Sequence, residues 1–177
     1  MYAAQETPVV LVTGAARGVG ADVAQQLESI DAHVIAGESD PAAMLDDVDA
    51  RFGRLDTLVV NASATRIDRD ELRGLAQRVL GLMPAGGHIV FVTSHQAHFY
   101  PHKAVPKGYA AVAARMRANE TALYAMRSEF SRAGIRFTVV SGDAVDETFA
   151  SAIVTAATSP NPSGVVYVGS ADYLMTA

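Results

Sequence analysis

The chain contains no cysteine, which excludes disulfides, a thiol nucleophile and any zinc site built on thiolates. It has no excess of basic charge: 14 Lys and Arg stand against 19 Asp and Glu, for a net charge of -5. Without a Lys/Arg cluster it lacks the electrostatic footprint of a nucleic-acid-binding protein and the basic face of a membrane-surface helix. Neither nucleic acid nor a membrane is therefore expected as a partner. No apolar run approaches the roughly 18 residues that a bilayer-spanning helix needs. The opening residues Met1–Pro8 carry no basic patch followed by an apolar stretch, so a secretory signal is not expected and the cytoplasm is the default location.

What is present suits one folded core. At 177 residues, half of them hydrophobic and 19% charged, the chain is long enough to bury a sizeable interior and short for two, so 1–177 is read as a single domain. Six short runs are nearly continuous in apolar residues: Val9–Val12, His33–Ala36, Thr57–Val60, His88–Thr93, Arg136–Val140 and Val165–Val168. Such runs suit strands covered on both faces. Segments of helical character lie between them, at roughly 19–29, 41–52, 68–83, 109–132 and 144–157. Asp40-Pro41 reads as a helix start, and Gly53 and Gly134 as helix stops. Alternating strand and helix predict an α/β fold with a doubly wound parallel sheet, Rossmann-like, with right-handed crossovers. The stretch Ser94–Gly108 is expected to be irregular because of its prolines and glycine, and it follows a strand's C-terminal end, where such sheets bind ligands.

The first strand runs into Thr13-Gly14-Ala15-Ala16-Arg17-Gly18-Val19-Gly20 and then an amphipathic helix. Glycines at such a turn let backbone N–H groups and a helix N-terminus approach a pyrophosphate. Gly14, Arg17, Gly18, Val19 and Gly20 are thus candidate dinucleotide-binding residues. The spacing Thr-Gly-x-x-x-Gly-x-Gly, together with Phe52–Ala62, His88–Ser94 and the pair Glu129-Phe130 followed by Ala133–Ser141, resembles the short-chain dehydrogenase/reductase family over almost the whole chain. The resemblance implies that Val60-Asn61-Ala62-Ser63 packs beside the glycine turn, which adds Asn61 and Ala62 to the cofactor-binding set. It also implies that Ser94 stands where the family has its catalytic serine.

Against that family the chain is short. One helix and one strand fewer separate Glu38 from Asn61, and the resemblance places the absent strand at a sheet edge, so six strands are expected. Glu38 lies 18 residues beyond Gly20, near where an acid would bind ribose hydroxyls and favour NAD, while Arg17 can receive the 2′-phosphate of NADP. NAD or NADP is the implied cofactor, and the two signals conflict.

The family's logic, carried over, has a serine orient a carbonyl, a tyrosine transfer a proton, and a lysine four residues on lower that tyrosine's pKa. An ordinary phenol near pKa 10 is a poor acid/base at neutral pH without such a cation. Counting back without gaps from Gly134-Ile135-Arg136 puts Val112 and Met116 at the tyrosine and lysine positions. Recruiting Tyr109 requires a three-residue shift, about 300° around a helix, and then Ala113 stands at the lysine position. No asparagine occurs in Asp68–Met83, and Gly142-Asp143 replaces the Pro-Gly that follows the family's strand.

The candidate catalytic residues are Ser94, Tyr109, His95, His98 and Tyr100; histidine exchanges protons near pH 7 without a large pKa shift. Three readings follow. The first is a small-molecule pocket protein with an eroded Ser-Tyr-Lys site, repurposed for non-redox proton transfer such as isomerisation, dehydration or cyclisation. The second is a divergent NAD(P)-dependent oxidoreductase using Ser94 and Tyr109. The third is a non-catalytic nucleotide-binding or partner subunit. The apolar side chains Val112, Met116, Leu123, Met126 and Phe130 on the 109–132 segment further suggest a homo-oligomer.

Overall fold

The computed structural model describes residues 6–38, 40–160 and 164–169. They form a six-stranded, wholly parallel sheet in the order β2-β1-β3-β4-β5-β6. The strands are β1 Val9–Thr13, β2 His33–Gly37, β3 Thr57–Asn61, β4 His88–Ser94, β5 Arg136–Gly142 and β6 Val165–Tyr167. The six expected runs are these six strands, and β2 lies at an edge, as expected if an outer strand is absent.

Among the described residues, seven helices flank the strands: α1 Gly18–Glu28, α2 Pro41–Phe52, α3 Arg69–Leu82, α4 His95–His98, α5 Ala110–Ala125, α6 Arg127–Arg132 and α7 Phe149–Thr158. Side chains alternate across a strand, so β1 sends Val9 and Leu11 to one core and Val10 and Val12 to the other. The first core joins α2, α3, α5 and α6 to the sheet through Leu45, Leu72, Met116 and Phe130. The second joins α1 and α7 through Val23, Leu27 and Ile153. Phe91, fully buried on β4, alone contributes about 2–3 kcal/mol through area removed from water.

Local chemistry sets the helix limits. The Asp40 carboxylate accepts from Ala42 N and Pro41 opens α2, while Gly53 ends it with φ +64°. Asp68 and Glu71 form a reciprocal cap at the start of α3. Three expectations are corrected. The segment 109–132 is two helices, because Met126 N–H bonds the Leu123 carbonyl three residues back and tightens the turn there. The last helix starts at Phe149 rather than near 144, since Asp143 and Asp146 side chains accept from Val145 N and Thr148 N and hold a turn instead. Within Ser94–Gly108 one helical turn forms, capped by Ser94 Oγ accepting from Ala97 N.

Met116, Leu123, Met126 and Phe130 are almost wholly buried in the first core. Their apolar character is consumed inside this chain and supplies no argument for an interface.

Candidate active site

The strands β1, β3, β4 and β5 end at a common rim, and the chemistry collects there. Gly14 and Gly18 adopt φ of +64° and +61°, a region open chiefly to glycine. A Cβ on Gly14 would come within 2.6 Å of Ala64 Cβ, and one on Gly20 would collide with the Gly14 carbonyl oxygen. The carboxamide of Asn61, at the end of β3, donates to that same oxygen at 3.2 Å. Asn61 thereby fixes the turn from below, and Ala62 beside it is fully buried.

The turn fits a pyrophosphate. Nothing lies within 4 Å of where a Cβ on Gly18 would stand, and Arg17, the residue preceding α1, supplies no side-chain cap. The first-turn N–H groups of α1 are therefore left without a side-chain acceptor beside open space. Two cavities meet at this turn. One, of about 730 Å³, is walled by Gly14, Arg17, Glu38, Thr65, Arg66 and the outer face of α3. The other, of about 570 Å³, is lined by Gly18, Val19, Asn61, Ser94, His95 and Tyr109, among others. Arg17 and Ala64 belong to both. Arg17 and Glu38, the two residues whose expected preferences conflict, form an exposed ion pair at 3.8 Å.

In the second cavity Ser94 Oγ stands 3.4 Å from the Tyr109 hydroxyl. β4 delivers the serine, and the residue preceding α5 delivers the tyrosine. The Tyr109 hydroxyl also reaches Met116 Sδ at 3.6 Å, so a neutral sulfur faces the phenol. Ala113, one turn along α5, is buried and has no side chain to offer. Tyr109 reaches the serine from the position immediately before α5, one turn ahead of Val112.

The other loop candidates are placed differently. His95 lines the cavity but is buried, with Nδ1 2.8 Å from Ser141 Oγ and Nε2 2.8 Å from the Val168 carbonyl. The carbonyl can only accept, so Nε2 donates to it. His98 does not line the cavity; its Nδ1 lies 2.7 Å from Glu120 Oε1 and its Nε2 3.2 Å from the Tyr167 hydroxyl. Tyr100 packs against the first core, away from the cavity. Sequence reasoning did not single out Thr93, Val145 or Asp146, which line the same cavity. The buried Thr93 hydroxyl has no hydrogen-bond partner among the described residues, and the signal available for it was its place at the C-terminal end of β4.

No protein-family model matches the chain, and no curated protein matches it in sequence. Solved structures do. A short-chain dehydrogenase/reductase from Serratia marcescens BCRC 10948 superposes with a TM-score of 0.72 at 21% identity, over 91% of this chain and 95% of that one. A small-chain dehydrogenase in complex with NADPH gives 0.71 at 19% identity, over 96% and 100% of the two chains. The promiscuous reductase LugOII, which catalyses keto-reduction at C1 during lugdunomycin biosynthesis, gives 0.69 at 20% identity, over 94% and 97%. The fold defines the class: this chain has the Rossmann-like architecture of the short-chain dehydrogenases/reductases.

Proposed function

We propose that the protein is a divergent NAD(P)-dependent oxidoreductase that reduces a carbonyl group on a small molecule, with Ser94 and Tyr109 as its catalytic residues. The observation that carries this reading is the 3.4 Å approach of Ser94 Oγ to the Tyr109 hydroxyl in a cavity that opens on the glycine turn. The sequence put non-redox proton transfer first; the meeting of these two hydroxyls favours the oxidoreductase.

Gly14, Gly18, Val19 and Gly20 would hold the pyrophosphate, Arg17 and Glu38 the adenosine end, and Asn61 and Ala62 the shape of the turn. A nicotinamide bound there supplies a hydride to the carbonyl carbon. Ser94 Oγ already accepts from Ala97 N, and its proton, which can bond the Tyr109 hydroxyl in this structure, would turn to the carbonyl oxygen. Tyr109 then gives its proton to that oxygen, and solvent restores it. In carbonyl reduction the phenol starts protonated, its ordinary form at neutral pH, and ends as the phenolate that a cation would stabilise. Alcohol oxidation starts from the phenolate and does need one. Met116, a neutral sulfur, stands in the contact position instead. That same neutral sulfur favours a second reading, non-redox proton transfer by the Ser94 and Tyr109 pair.

The deciding experiment is a calorimetric titration with NADH and NADPH, followed by turnover of a carbonyl panel by the parent and Tyr109→Phe. Binding of at least one dinucleotide and a drop of about 100-fold or more on removing the hydroxyl are expected. Silence with both dinucleotides defeats the reading, and full turnover without the hydroxyl removes Tyr109 from it.

A further inference from the structure

We infer that His98 is a positioning residue, whose bond to Glu120 sets the register of α4 against α5 and with it the approach of Ser94 to Tyr109. The functional meaning of this inference rests on the proposed role of those two hydroxyls, but the geometry stands apart from it.

The two helices carry the pair between them. Ser94 caps α4, and Tyr109 immediately precedes α5. α4 is a single turn, too short to hold its own orientation by internal hydrogen bonds. Its two histidines tie it to different elements. His95 fastens it to β5 through Ser141 and to the segment after β6 through Val168. His98 fastens it to α5 through Glu120 and to β6 through Tyr167. Glu120 follows Tyr109 by 11 residues, about three helical turns, so both project from the same face of α5 as Met116. The contact between the two helices therefore has two polar points, Ser94 with Tyr109 at one end and His98 with Glu120 at the other.

The second point is under strong physical constraint. Glu120 is 1% exposed; its Oε1 receives His98 Nδ1 and, at 2.9 Å, an Arg117 guanidinium nitrogen, while Oε2 has no partner. A buried carboxylate that loses one of two donors must find another or move toward water. Any such movement turns or slides α5, and Tyr109 rides on its first residue. A displacement on the order of 1 Å at reacting groups is enough to cost about 100-fold in rate. Neither His98 nor Glu120 lines the cavity, so their influence on the reacting atoms passes through the helices.

The test reads Tyr109 directly and needs no substrate. Protein labelled with 13C at the tyrosine Cζ gives one resonance per tyrosine, and Tyr109→Phe assigns the one in question. In His98→Ala that resonance should leave its parent position. In His98→Asn, which keeps an N–H donor near the place of Nδ1, it should return toward it. Should His98→Ala fail to fold, His98→Leu fills the space without the donor and carries the same comparison. An unmoved Tyr109 resonance in the folded Ala or Leu variant overturns the inference; so does failure of both to fold, which would make the pair a requirement of the fold alone. On a reducible carbonyl, His98→Ala should lower kcat about tenfold or more with KM little changed, and should cost nothing further in the Tyr109→Phe background. An additive loss there also overturns it. A protein that binds neither dinucleotide ends the proposed function and leaves the resonance test intact.

Discussion

The sulfur of Met116 lies 3.6 Å from the hydroxyl of Tyr109, so the phenol that meets Ser94 also meets a thioether from α5. Replacing that sulfur by an ammonium, Met116→Lys, should raise the rate of alcohol oxidation about tenfold or more and move its pH profile to lower values. The fully buried position makes the same change destabilising, because a lysine there gives up its hydration. Rates in both directions against pH, with Tm alongside, test this; profiles that coincide with the parent's would detach Met116 from the chemistry.

Two glycines of the turn should fail in different ways. Gly18→Ala meets open space but imposes a side chain at φ +61°, which costs about 1–2 kcal/mol. Its methyl group also stands where the pyrophosphate would lie, so dinucleotide affinity should fall further than stability does. Gly20→Ala drives a methyl into the Gly14 carbonyl and to 3.0 Å from Asn61 Nδ2, and should lose the larger share of stability. Denaturant midpoints and dinucleotide calorimetry on both variants separate the two effects.

The Arg17–Glu38 ion pair predicts reciprocal cofactor shifts. Removing the carboxylate with Glu38→Ala frees a guanidinium for a 2′-phosphate and should improve NADPH relative to NADH. Arg17→Ala should do the reverse. Both side chains are more than half exposed, so each change should leave Tm nearly untouched. Two ratios that move the same way would separate this pair from cofactor choice.

His88 ties stability to pH. It opens β4, fully buried, with its ring between the Ala157 carbonyl and Thr138 Oγ1. Burial, aided by Arg136, pushes its pKa from 6.5 down to about 4. Between those values the unfolded chain binds a proton that the folded one refuses, so stability is complete above pH 6.5 and is lost as pH falls toward 4. The loss from this group is up to about 3 kcal/mol. Urea midpoints between pH 7 and 4 should fall steadily, and a His88→Gln variant, less stable throughout, should fall less over that window.

The sheet was legible in the sequence because its inner strands are covered on both sides and so read as unbroken apolar runs, as in Leu58-Val59-Val60. The glycine turn was legible because positive φ and close approach leave few alternatives to glycine at Gly14, Gly18 and Gly20. The Ser94–Tyr109 contact was not. Gapless counting places Val112 where a tyrosine was sought, and only the three-dimensional path of the chain into α5 shows Tyr109 reaching the serine from one turn earlier. The histidines posed the opposite difficulty: their residue type suggests acid/base work, whereas His95 and His98 spend their nitrogens on Ser141, Val168, Glu120 and Tyr167. Partners 22 to 73 residues away in the chain leave no local signal. The break at Met126 and the late start of α7 likewise depend on individual turn hydrogen bonds that a periodicity of 3.6 does not encode.

β2 meets the sheet through its ladder with β1 alone among the described residues. Every other connection in the sheet is independent of what lies beyond it, which makes that rim the place where an architecture of this kind can change length cheaply. An extended peptide spliced in after Glu38 would find a ledge of five backbone residues to dock on, for little more than the entropy of one added loop.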